Sequence, residues 1–122
     1  MWVRIAACFP VWHEPRALAA YRIHDASNTG RHVLSGGDAA ANRAAIAIFS
    51  QYLPDPVAAE VARRARRTYA TSAVGTALRL WQGGHRLAAA AQIREACLLA
   101  PGVALREVLR AASGRGRPHV GA

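Results

Sequence analysis

The sequence contains no lysine and few acidic residues. All sixteen basic residues are arginine, against seven acidic residues, and the formal net charge is +9. The carboxylates are too sparse to form a paired acid–base site within the chain. No apolar run approaches the ~20 residues of a membrane-spanning helix, and the start lacks a signal-peptide pattern. We therefore predict a cytoplasmic protein and allow for peripheral contact with the inner face of the membrane through the arginine excess.

The sequence also lacks the motifs of metal and phosphate sites. Cys8 and Cys97 stand far apart without a CxxC, and the five histidines form no HxxxH or HExxH pair. These patterns argue against a zinc site and favour free, reduced cysteines. The glycine pairs at 36–37 and 83–84 lack the further glycines or lysine of a phosphate-binding loop. The residues alone therefore indicate no complete active site.

Helical periodicity covers most of the chain from Asp38 onward. We predict a helix that Asp38 caps and that ends near residue 53, followed by helices at about 56–81 and 86–100. After a break at 101–102, a short last helix ends near 112. A further helix is predicted at 1–9, where Pro10 ends it. The tail at 113–122 has no apolar periodicity, and we predict that it is disordered.

Two stretches near the N-terminus indicate extended backbone. Residues 11–13 and 18–24 predict a short strand pair, and the alternation in the second strand places Arg22 and His24 on one face. A polar loop follows at 25–30. The predicted fold class is therefore mostly α, with a short β-strand pair near the N-terminus followed by about four helices.

Four arginines lie within residues 63–67 of the predicted third helix. Its apolar line runs through Val57, Val61, Ala65 and Tyr69, and the arginines lie clear of that line. This arrangement is typical of a solvated outer face. No aromatic residue interleaves with the arginines, so we do not expect nucleic-acid binding. The charge as a whole has two open explanations: a GC-rich coding sequence, or specific recognition by individual arginines.

Residues 86–102 (RLAAAAQIREACLLAPG) resemble the second helix of a tetratricopeptide unit. No second copy follows at the expected period, and a single copy cannot build a solenoid. We therefore predict a helical hairpin that could serve as an interaction surface.

Residues 2–28 resemble the C-terminal part of the catalytic domain of family-2 glycosyltransferases with the GT-A fold. The resemblance rests on residues 2–6 (WVRIA), 14–19 (EPRALA), 21–24 (YRIH) and 27–28 (SN). It implies that residues 1–35 are the C-terminal remnant of such a domain and that 36–112 are a helical C-terminal extension. The parent reaction would transfer a sugar from a nucleotide-sugar donor to a saccharide or lipid-linked acceptor.

The resemblance also implies roles for individual residues. Arg22, His24, Ser27 and Asn28 would bind the donor diphosphate, and Trp2 would lie on the acceptor side. A divalent metal, Mg²⁺ or Mn²⁺, would serve the parent enzyme, with His24 as a possible metal contact. The family's D-x-D motif and acidic base are absent from this sequence. We therefore name no catalytic residue and expect the isolated chain to be inactive and without a cofactor.

A second function from another class stays open. The chain would then be a basic helical adaptor, an interaction module that binds a protein or an anionic polymer. Its helices and arginine excess are compatible with this alternative, which needs no catalytic domain upstream.

Overall fold

The computed structural model describes residues 2–20 and 28–113, and within these ranges the backbone is helical or irregular, with no strand. The helices are α1 (Trp2–Cys8), α2 (Asn28–Ser35), α3 (Gly37–Phe49), a short 3₁₀ helix (Ser50–Tyr52), α4 (Val57–Gln82), α5 (Arg86–Leu99) and α6 (Pro101–Ala112). Among the described helices, none has the length and apolar character needed to cross a membrane.

The predicted β-strand pair is wrong in the part of the chain that can be checked. Residues 11–13 and 18–20 have irregular backbone, and the remainder of the second predicted strand, 21–24, lies outside the described residues. A strand needs a partner for its ladder, and Pro10 and Pro15 each remove a backbone donor. Glu14 instead forms a local turn, because its carboxylate accepts from the Arg16 backbone N–H at 3.0 Å and from the Arg16 Nε at 2.9 Å.

The helical predictions agree with the structure better than the strand prediction does, with two corrections. The predicted helices from 38 onward correspond to α3 with its 3₁₀ extension, α4, α5 and α6. Asp38 is not the cap of α3, however: it lies in the first turn, and Gly36 occupies the N-cap position in left-handed backbone with φ of 74°. The helix α2 was missed, since part of it falls in the predicted polar loop.

The core is built mainly from alanine. One buried cluster joins α3, α4, α5 and α6 through Ala39, Ala73, Val74, Ala96 and Ala104. A second cluster joins Ile46, Ala70 and Leu99. Small side chains let helix backbones approach closely, so α4 and α5 form a tight antiparallel hairpin with α3 and α6 alongside.

The N-terminal segment lies at the edge of this helical body. Helix α1 contacts the 3₁₀ helix, where the Arg4 guanidinium stacks over the Tyr52 ring at 4.9 Å from its centroid. Downstream of α1, Phe9, Trp12 and Leu18 are between 65% and 86% exposed. The largest side chains of this segment therefore contribute little to the core.

Candidate anion-binding pocket

Of the predicted donor-binding residues, Asn28 alone falls within the part of the chain that the structure describes. Arg22, His24 and Ser27 lie outside the described residues, and so does the proposed metal contact of His24. Asn28 begins α2, where its Oδ1 accepts a hydrogen bond from the Arg31 guanidinium at 2.6 Å. Trp2 begins α1. These roles stay predictions.

An open concavity lies where α4 extends beyond the end of α5. Helix α4 has 26 residues and α5 has 14. At about 1.5 Å per residue, they measure about 39 Å and about 21 Å, so the N-terminal half of α4 has no α5 beside it. The resulting open pocket has a volume of about 570 Å³.

Four parts of the chain contribute to the pocket. The 3₁₀ helix and the connection after it supply one side, the first half of α4 supplies the floor and a basic wall, and the end of α5 closes it. The lining residues are Ser50, Gln51, Asp55, Ala58, Ala59, Ala62, Arg63, Arg66, Arg67, Leu99 and Ala100. Three arginines thus face a surface that is otherwise largely apolar.

The basic wall has little compensating negative charge. The Arg63 guanidinium donates to the Glu60 carboxylate, with 3.1 Å from Nε to Oε2, and thereby holds the pKa of that carboxyl below its ordinary value. In the part of the chain that the structure describes, Arg66 and Arg67 form no hydrogen bond or ion pair. Arg64 belongs to the same run but does not line the pocket.

The sequence interpretation placed the wrong side of α4 against the core. Val57, Val61 and Tyr69, expected on the buried line, are between 37% and 48% exposed. The buried line consists mostly of alanines instead, including Ala73 and Ala77, with Val74 beside them. At ~100° per residue, Arg66 lies only about 20° around the helix from either alanine. The three arginines that line the pocket therefore lie towards the core-facing side of α4, whereas Arg64 lies on its outer face.

The pocket itself could not be found from sequence spacing. The predicted helical periodicity relied on large apolar side chains, so it missed a buried line that is mostly alanine. The 3₁₀ helix and the end of α5 reach the arginines only through tertiary packing. The one sequence signal that pointed to the site was the density of arginine itself.

A second polar feature is buried between helices and is structural. Gln92 is fully buried, and its Nε2 donates to the Val33 carbonyl at 2.8 Å and to the Asp38 carboxylate at 2.7 Å. Both neighbours are acceptors, so the nitrogen end of the amide must face them. Its Oε1 has no hydrogen-bond partner among the described residues.

Glu95 is the buried carboxylate of the same helix. Its Oε2 accepts from the Arg43 Nε at 3.0 Å, and its Oε1 accepts from the Arg94 guanidinium at 2.8 Å. Only 5% of the Glu95 side chain is exposed, whereas the two arginines reach solvent. Both carboxylate oxygens are thus satisfied, and the group ties α5 to α3.

Comparisons with known proteins give no family for this chain. It matches no protein-family model, no curated protein and no solved structure. Within residues 2–20 and 28–113, no group of three or more histidine, cysteine, aspartate or glutamate side chains could hold a metal ion.

Proposed function

We propose that this chain is the C-terminal portion of a family-2 glycosyltransferase that transfers a sugar from a nucleotide-sugar donor to an acceptor. Residues 1–35 would belong to the catalytic domain, and 36–112 would extend it as a helical module. On this proposal the chain alone is inactive, because it carries neither a D-x-D motif nor an acidic base.

The observation that carries the proposal is the uncovered apolar surface of the segment with the family resemblance. Phe9 is 65% exposed, Trp12 86% and Leu18 76%. Full burial of one large apolar side chain contributes about 1.5–3 kcal/mol, so leaving three of them in water is unfavourable. Large apolar side chains left exposed within one short segment support contact with another protein surface. A catalytic domain that precedes the segment would supply that surface.

Within the parent enzyme, Arg22 and His24 would face the donor diphosphate, with Ser27 and Asn28, the first residue of α2, beside them. A guanidinium and an imidazole suit an anionic leaving group, whose developing charge needs stabilisation. Mg²⁺ or Mn²⁺ would supply further positive charge at the diphosphate. The acceptor would lie near Trp2.

The experiment starts with the DNA upstream of the first codon. An in-frame segment that encodes D-x-D and an acidic pair is expected, and that extended chain should transfer sugar from a nucleotide-sugar donor in a metal-dependent way. Arg22→Gln should lower the kcat of that extended chain at least tenfold, because one charge-assisted contact is lost. Arg16→Gln is the matched control, because among the described residues Arg16 pairs with the neighbouring Glu14 alone. A stop codon and a ribosome-binding site directly upstream would contradict the proposal, as would nucleotide-sugar hydrolysis by purified 1–122.

An adaptor function is the second candidate, and a leucine pair on α6 favours it. Leu105 and Leu109 lie one helical turn apart and are 61% and 59% exposed. Two leucines at this spacing form the kind of apolar strip that a partner helix packs against. On this alternative, a protein partner binds saturably, and Leu105→Ser with Leu109→Ser weakens binding about tenfold or more. Ile48→Ser, at an equally exposed position of α3, should have no effect; equal loss in both would exclude the α6 strip.

A further inference from the structure

The arginine wall of the pocket is a concentration of like charge on one side of one helix. Arg66 and Arg67 lie three and four positions after Arg63, the spacings at which helical side chains are neighbours. Like charges at these spacings repel each other. Glu60 bonds one of the three, and Arg66 and Arg67 have no hydrogen bond or ion pair within the described residues.

Downstream of Glu60, the neighbouring sequence supplies no anion. Residues 61–94 contain seven arginines and no acidic residue. Asp55 is the one carboxylate among the lining residues of the pocket. A pocket with three guanidinium groups and one carboxylate has a net positive charge, so it attracts an anionic ligand.

The rest of the lining decides what kind of anion fits. Ala58, Ala59, Ala62 and Leu99 form an apolar floor beside the arginines. A volume of about 570 Å³ lies in the range of pockets that bind small organic ligands. Ala58 and Leu99 are already buried, whereas Ala59 is exposed and Ala62 half-buried. An inorganic ion would leave this open part of the floor in water, whereas a ligand with a hydrocarbon part would cover it.

We infer that the pocket binds a phosphate monoester of an apolar alcohol. The phosphate lies against Arg66 and Arg67, whose planar guanidinium groups match phosphate oxygens in pairs. The Arg63 guanidinium contacts both the ligand and Glu60, and the hydrocarbon covers Ala59 and Ala62. This site does not depend on whether the chain belongs to a glycosyltransferase.

The test is calorimetric titration of the full chain with n-hexyl phosphate, which stays monomeric. We expect saturable binding with one site. Arg66→Gln with Arg67→Gln should weaken it at least tenfold, because two charge-assisted contacts are lost together. The matched control is Arg64→Gln with Arg79→Gln, which removes the same charge from the same helix outside the pocket and should change affinity less than about twofold.

The apolar floor is tested separately. Ala59→Phe fills the exposed part of the floor without a change of charge, so it should also weaken hexyl phosphate. Inorganic phosphate should bind at least tenfold more weakly than hexyl phosphate to the unmodified chain, in proportion to the buried hydrocarbon. Circular dichroism checks that each variant keeps its helical content.

The ligand's source is distinguished with vesicles of phosphatidylcholine and phosphatidic acid. If the Arg66/Arg67 variant loses more affinity than its control for hexyl phosphate but not for the vesicles, the result supports a soluble phosphate ester. If it also loses more binding than its control in vesicle sedimentation, the result supports a lipid headgroup. The proposal is overturned if the two double variants behave alike in both assays, if inorganic phosphate binds as tightly as its hexyl ester, or if no binding is seen.

Discussion

Replacing Gln92 by leucine tests how the buried amide holds α2 and α3 on α5. The substitution keeps a side chain of similar size at a fully buried position. It removes the donors to the Val33 carbonyl and the Asp38 carboxylate, which lie 2.8 Å and 2.7 Å from Nε2. It also removes Oε1, the acceptor without a partner among the described residues.

The expected change in the free energy of unfolding is the difference between the lost hydrogen bonds and the gain from the apolar side chain. A hydrogen bond to a carbonyl contributes about 1 kcal/mol and one to a charged group about 1.5–3 kcal/mol. Part of this loss of stability is offset, because leucine adds apolar surface and removes the buried Oε1 that has no partner among the described residues. Val33 and Asp38 are half-buried, so water satisfies them incompletely. We expect a net destabilisation of about 2 kcal/mol, which lowers the melting temperature by about 10 °C in a domain of this size.

The assay is thermal and urea unfolding followed by circular dichroism. Gln82→Leu makes the same chemical change at the exposed end of α4 and should shift the midpoint by less than about 0.5 kcal/mol. Amide exchange in α2 should accelerate in the Gln92 variant, because that helix loses its tie to α5. A Gln92→Leu chain as stable as the unmodified protein would refute the reasoning and show that the amide is dispensable.

Three further predictions concern single positions. Gly36→Ala should destabilise the fold by roughly 2 kcal/mol in urea unfolding, because a left-handed backbone disfavours alanine and its Cβ would lie 3.2 Å from α5. Ile46→Ala, at a fully buried site, should lower the free energy of unfolding by about 2–5 kcal/mol. Ile48→Ala, at a 57% exposed site on the same helix, should lower it by less than about 1 kcal/mol, and equal losses would contradict the assigned core. Arg63→Gln should raise the pKa of Glu60 towards its ordinary value in an NMR titration, because the bonded guanidinium lowers it. The stability from this pair is present above the ordinary carboxyl pKa and lost as the pH falls through the lowered one, so an unchanged Glu60 titration would exclude the pair in solution.

The helices from α3 to α6 followed from local signals. Pro54, Pro101 and the glycine pair at 83–84 interrupt helical periodicity at positions that separate the observed elements. Such breakers act on neighbouring residues, so they can be read without knowing the fold. The β-strand prediction failed because strand formation depends on a partner that the described residues do not supply.

Helix α2 and the pocket required tertiary information. Asn28 and Gly30 are typical loop residues, yet Gly30 is buried within α2. The amide of Gln92 bonds this helix from 59 residues away along the chain. Packing there overrides a weak local propensity. The basic wall was visible as an arginine run, but its side of the helix was assigned wrongly because alanine contributes little to hydrophobic patterns.

The alanine core has a consequence for how the helices align. Eight of the eleven buried apolar residues in the described chain are alanine. Alanine faces interlock weakly, so a slip of α5 along α4 by one turn, about 5.4 Å, would bury a similar apolar area. Such a slip would take Gln92 away from α2 and Glu95 away from Arg43. The two buried polar groups therefore fix the axial register, and a chain without both should stay helical while it samples several alignments.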